Sequence, residues 1–274
     1  MGIFKRLFDF YLQSSMHVAL SVLALIQITG FVLDLPSDWA MSGFGYFGTI
    51  VGYNFVKYDA LARIGKPPLS LNLKLFILVS AVSFLAAAYC FLKLQPITQI
   101  ISVVCVLITA LYTLPFFPNH KSARSWAGLK IYIVALCWVG VTVVLPVINA
   151  GAALTTDFYI VCVKRFLLIV VLLFIFEIID LAWDDPHLKT VPQQIGVVNT
   201  KKLGVLLLVI FLMLELLQVG KSGPHFMASI MLIGLTTAFL LFAHQRRSRY
   251  YTMFWAESIP MVWWLVLVLM DCFY

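Results

Sequence analysis

The sequence predicts an all-α, polytopic integral membrane protein, and three observations carry that prediction. Of 274 residues, 62% are hydrophobic and only 11% are charged, and the mean hydropathy is +1.00. So few charges cannot wet the surface of a soluble domain. Long apolar runs recur along the whole chain, separated by short stretches rich in Pro, Gly, Lys and Arg. Each run approaches the roughly 20 residues a helix needs to cross the hydrocarbon core, so residues 1–274 hold about nine spans in a single domain.

Residues 1–14 place Ile3, Phe4, Leu7, Phe8 and Tyr11 on one helical face, opposite Lys5, Arg6 and Asp9. That pattern predicts an N-terminal helix lying in the membrane interface. No small-residue cleavage site follows before Asp34, so a signal peptide is not expected. Arg6 stands where an acylation signal needs Ser or Thr. The spans are expected at 16–33, 42–58, 72–92, 98–117, 127–148, 160–183, 203–219, 225–244 and 252–272.

Loop charge orients this array. With the N-terminus inside, fifteen basic residues share one face: Lys5, Arg6, Lys57, Arg63, Lys66, Lys74, Lys121, Arg124, Lys130, Lys189, Lys201, Lys202, Arg246, Arg247 and Arg249. Four, Lys93, Lys164, Arg165 and Lys221, fall on the other. Lys and Arg accumulate on the cytoplasmic side, so the N-terminus is expected inside and the C-terminus outside. The expected location is the cytoplasmic membrane of a bacterium or archaeon. The net charge of +7 is thus a topology signal and a surface for anionic head groups or a diphosphate. Nucleic acid is not an expected partner.

The five cysteines, Cys90, Cys105, Cys137, Cys162 and Cys272, lie in or beside apolar spans without a C-x-x-C, and the five histidines do not pair. Packing thiols are expected, with neither a zinc site nor a haem.

Four features carry candidate chemistry. Glu177, Asp180 and Asp184 are spaced i, i+3, i+7 and share one helical face. Like charges at that spacing repel, and a Mg²⁺ ion bridging to phosphate would relieve the repulsion. The simpler account is a helix emerging into water at Asp185–Pro186. The loop after the second span carries Asn54, Asp59, Arg63 and Lys66. Its basic pair suits a diphosphate, or merely anchors the span, and the Asn54 amide inside a span wants a hydrogen-bond partner. The fourth span ends in LYTLPFFPNHK, where Tyr112, Pro115 and Lys121 meet aromatic neighbours able to stabilise a cation. Glu215 and Glu257 lie within spans, where ionisable groups are functional candidates.

These motifs resemble those of the UbiA-type membrane prenyltransferase superfamily. DLAWDDPHLKTVPQQIG is similar to the family's second motif, with Asp180 and Asp184 on its two aspartates and Thr190, Pro192 and Gly196 on its trailing segment. The loop holding Lys189 is one residue shorter than usual. Tyr112, Pro115 and Lys121 match a second family segment in which Phe116 replaces a proline. The first aspartate-rich motif is degenerate: read from Asn54, its acidic positions fall on Phe55, Tyr58 and Ala62, with Asp59 one place late.

The resemblance implies a UbiA-like bundle that moves a polyprenyl group from a prenyl diphosphate to an aromatic or lipid acceptor. It implies Mg²⁺ on Asp180, Asp184 and Glu177, and substrate contacts from Asn54, Asp59, Arg63, Lys66, Tyr112, Lys121 and Lys189. Because half the metal cage is missing, the alternative is a non-catalytic lipid-binding or scaffold protein that retains the fold. A transporter relaying protons through Glu177, Asp180 and Glu257 is a third reading, without the mid-membrane helix breaks transporters use.

Overall fold

The structure, a computed structural model, describes residues 2–64, 71–113, 129–184, 188–218 and 223–273. The interfacial helix α1 (Ile3–Gln13) meets α2 (Met16–Val32) at a 54° bend. Ser15 makes that bend in the left-handed conformation, φ 63°. The lipid-seeking side chains of α1 stay outside, Phe4 being 84% exposed. Then follow α3 (Trp39–Ile64), α4 (Leu71–Phe91) and α5 (Pro96–Thr113). A rod made of α6 (Leu129–Val139), a π-helical turn at Gly140–Val144 and α7 (Leu145–Asn149) comes next. The chain continues through α8 (Thr156–Asp180), α9 (Val191–Leu217) and α10 (Gly223–Phe242). A second π-helical turn, Tyr251–Ala256, opens α11 (Glu257–Phe273).

Helix falls on every expected stretch among the described residues, and boundaries shift most at α9, which starts twelve residues before the expected 203. Among the described residues, six helices are long and apolar enough to cross a membrane, or seven if the bent α1–α2 pair is one span. The protein is an integral membrane protein, and its expected nine spans are not all met by that criterion.

Each π turn is followed by a proline. Pro146 has no N–H to give the carbonyl of Thr142 four residues back, and Pro260 none for Ala256. The freed Thr142 carbonyl accepts instead from the Thr29 hydroxyl at 2.6 Å.

The core surrounds α8. Leu168, Val171, Ile175 and Ile178 are wholly buried, as a helix apolar on every face should be. It packs on α6, α9 and α10, while α2 packs on α3, α11 and the first π turn. Gly204 permits the close approach of α9 to α10, since a Cβ there would lie 2.5 Å from Leu240 Cδ2. The lipid-facing helices carry exposed apolar bands, such as Ile77, Leu78 and Leu85 on α4.

Candidate functional site

The second motif occupies the end of α8. Backbone amides of Trp183 and Asp184 bond to the Asp180 carbonyl at 2.8 and 2.9 Å, which carries the turn past the helix and keeps the two carboxyl-bearing residues one turn apart. Both are partly exposed. Glu177, one turn deeper, is 7% exposed and is committed: its Oε2 accepts from the Val191 amide at 3.1 Å. A carboxylate suits the N-terminus of α9, where unpaired amides and the helix dipole attract negative charge. Glu177 therefore ties α8 to α9.

The segment between them is locally determined. The Thr190 amide donates to Gln193 Oε1 at 3.0 Å, Pro192 sits in the first turn of α9, and Lys189 adopts φ 47° with its side chain exposed. Gly196 has φ 80° and ψ 157°, a conformation that favours glycine and kinks α9.

Two basic residues outside the motif face the carboxylates. The charges acting on Asp180 are those of Asp184, Lys130 at the start of α6, and Arg249 in the α10–α11 connection. Arg249 also lies over the ring of Trp183, 5.6 Å from its centroid. Sequence reasoning counted both residues only as topology signals. Nothing in their spacing announced that they converge on α8.

Asn54 answers its own demand for partners. Its Oδ1 accepts from Ser15 at 2.8 Å and its Nδ2 donates to Ser80 at 3.0 Å, so the buried amide clamps the α1–α2 elbow to α3 and α4. Asp59 and Arg63 lie in α3 and Tyr112 in α5 by backbone, but their side chains, with Lys66 and Lys121, fall outside the described residues. Lys57 donates to the Gln13 carbonyl at 2.9 Å.

The Trp138 indole donates to the Tyr53 hydroxyl at 2.9 Å, linking α6 to α3. The second π turn is held by His17, whose Nε2 donates to the Phe254 carbonyl at 2.9 Å while Nδ1 accepts from Tyr11 at 2.8 Å. Ser21 bonds to the Glu257 carbonyl. The Glu257 carboxylate lies within electrostatic reach of Lys57 and Tyr53.

Among the described residues, no group of three or more His, Cys, Asp or Glu side chains is arranged to hold a metal. Asp180 and Asp184 form a pair instead. Mg²⁺ commonly takes one or two carboxylates and completes its shell with water and substrate phosphate, so this pair fits one such ion. A cavity of about 890 Å³ opens at the opposite end, lined by Asp34, Asp38, Trp39, His225 and Trp264, and contains none of the motif residues.

Lys164 and Arg165, counted among the charges of the outer face, are buried within α8. Lys164 pairs with Glu215 at 2.5 Å and donates to Gln218 at 2.7 Å. They are not loop charges, which leaves Lys93 as the exposed basic residue of that face among the described residues.

No protein-family model and no curated protein matches the sequence. A solved structure does: the apo structure of a UbiA homologue from Aeropyrum pernix K1 superposes with a TM-score of 0.68. The alignment covers 94% of this chain and 98% of that one at 12% sequence identity. At that identity the likeness speaks to architecture. The chain has the fold of that UbiA homologue.

Proposed function

We propose that the protein is an intramembrane prenyltransferase that binds a polyprenyl diphosphate at the α8 end and passes the prenyl group to a hydrophobic aromatic or lipid acceptor. The observation that carries this reading is that Asp180, four residues from Asp184 at a membrane face, has Lys130 and Arg249 within electrostatic reach. Cations and carboxylates together are what a metal-bridged diphosphate requires, whereas either alone would suit water. The fold supports the reading without specifying substrates.

In this proposal Asp180 and Asp184 hold Mg²⁺, which supplies charge neutralisation to the departing diphosphate. Lys130 and Arg249 pair with its remaining oxygens, joined by the exposed Lys189, by Arg63 of α3, and by Lys66 and Lys121. Stabilising the leaving group's charge in a water-poor site is the main work such an enzyme performs. Tyr53 and Trp138 present aromatic surface to the prenyl chain and its developing cation. The basic face is cytoplasmic, by the same asymmetry of Lys and Arg.

A second reading keeps the fold without the chemistry, as a lipid-binding or scaffold protein. It is favoured by the structural duties of Glu177 and Asn54 and by the absence of a three-carboxylate metal group among the described residues. Labelled farnesyl diphosphate, applied to the purified protein with Mg²⁺ or chelator, separates the two. The enzyme reading expects Mg²⁺-dependent binding that Asp180→Asn and Asp184→Asn abolish. Folded wild type that does not bind would leave the scaffold.

A further inference from the structure

The Arg165 side chain is a buried charge with no opposite charge to answer it. It is 2% exposed, and its guanidinium donates to three neutral acceptors: the Leu25 carbonyl at 3.0 Å, Thr142 Oγ1 at 2.7 Å and Thr29 Oγ1 at 3.2 Å. Among the described residues no carboxylate pairs with it. The adjacent Lys164 is balanced by Glu215, so the cluster of Lys164, Arg165 and Glu215 retains one positive charge. Burying an uncompensated ion costs several kcal/mol, and proteins rarely leave one so.

A small enclosed space adjoins this cluster. It leaves the centre of a water-sized sphere about 10 Å³ in which to move, room for one small occupant, and its walls are Lys164, Arg165, Trp263, Ile28, Val32 and Val161. Trp263 is 6% exposed and its Nε1, a donor without acceptor capacity, finds no partner among the described residues. Arg165 lies over the same indole, 6.0 Å from the ring centroid. The polar groups of the lining are a guanidinium, an ammonium and an indole N–H, all donors.

We propose that this space is a binding site for a single monatomic anion, a halide, held by Arg165 and the Trp263 indole N–H beside Lys164. A water molecule would fill the volume and accept from Trp263, yet would leave the charge uncompensated. A halide does both. Its place, toward the start of α8 and away from Asp180 and Asp184, separates this site from any diphosphate chemistry at the far end of that helix. Its occupant touches α2, α8 and α11, which supply the walls, and Arg165 carries the contact on to the first π turn through Thr142.

The test uses the full-length protein purified in detergent with sodium gluconate, an anion too large to enter, and titrated with chloride or bromide at constant ionic strength. Thermal unfolding should rise saturably with either halide. Trp263→Phe keeps the ring but removes the donor, and should weaken the halide's midpoint by about tenfold while the protein remains folded in gluconate. Crystals grown with bromide should show an anomalous peak between Arg165 and Trp263. A wild type equally stable in chloride and gluconate, or a halide effect that never saturates and is shared by Trp263→Phe, would overturn the proposal in favour of a buried water. Neither readout depends on prenyl transfer.

Discussion

Helix α8 carries charge at both ends and treats it in opposite ways. Toward its start, Lys164 and Arg165 are buried and donate to groups on neighbouring elements. At its finish, Asp180 and Asp184 are half-exposed, repel one another, and face cations on other elements. The difference teaches that intramembrane charge is not a single signal. A charge bonded on all sides fixes the packing of helices, whereas one left at a membrane face with unspent lone pairs is available to a ligand.

The comparison predicts a division of effects. Removing one partner of the buried pair should damage the fold most: Glu215→Ala strands the Lys164 ammonium and should cost about 3–5 kcal/mol, measured as loss of unfolding midpoint by scanning fluorimetry. Replacing both residues with Met should recover most of that stability. If Glu215→Ala unfolds no earlier than wild type, the buried cluster is not structural.

At the other end, Asp180→Asn and Asp184→Asn should leave the unfolding midpoint in place while lowering turnover of labelled farnesyl diphosphate at least about 100-fold. Equal activity in wild type and both variants would erase the contrast. Asn54→Ala tests an intermediate case. Losing two hydrogen bonds and stranding Ser15 and Ser80 should cost about 1–3 kcal/mol, with donor affinity unchanged when measured below the new midpoint. A loss of affinity instead would return Asn54 to the substrate. The smallest effect is expected at Arg249→Ala, where a partly exposed cation should weaken Mg²⁺-dependent donor binding about fivefold without altering stability.

Much of the architecture was legible beforehand because helix formation in a bilayer is forced: unpaired backbone groups cannot exist in hydrocarbon, so apolar runs must be helical. The Asn54 amide was legible as a demand, and Glu177 as a member of an acidic face. Their partners were not. Ser15 and Ser80 lie 39 and 26 residues from Asn54, and Val191 lies 14 residues from Glu177. The π turns left a trace in Pro146 and Pro260, but a proline in a span says only that a carbonyl is freed, not which hydroxyl takes it.

The sequence alone determined that the chain is a membrane-embedded helical bundle, where its helices run, and which end of α8 carries acids, since composition and periodicity act locally along the chain. Tertiary structure decided which charges are spent and which are available. Lys130 and Arg249 reach Asp180 from separate elements, and Arg165 finds its acceptors on α2 and the first π turn. The reason is physical: the free energy of a charge within a membrane depends on its neighbours within a few ångströms, and folding, not sequence separation, chooses those neighbours.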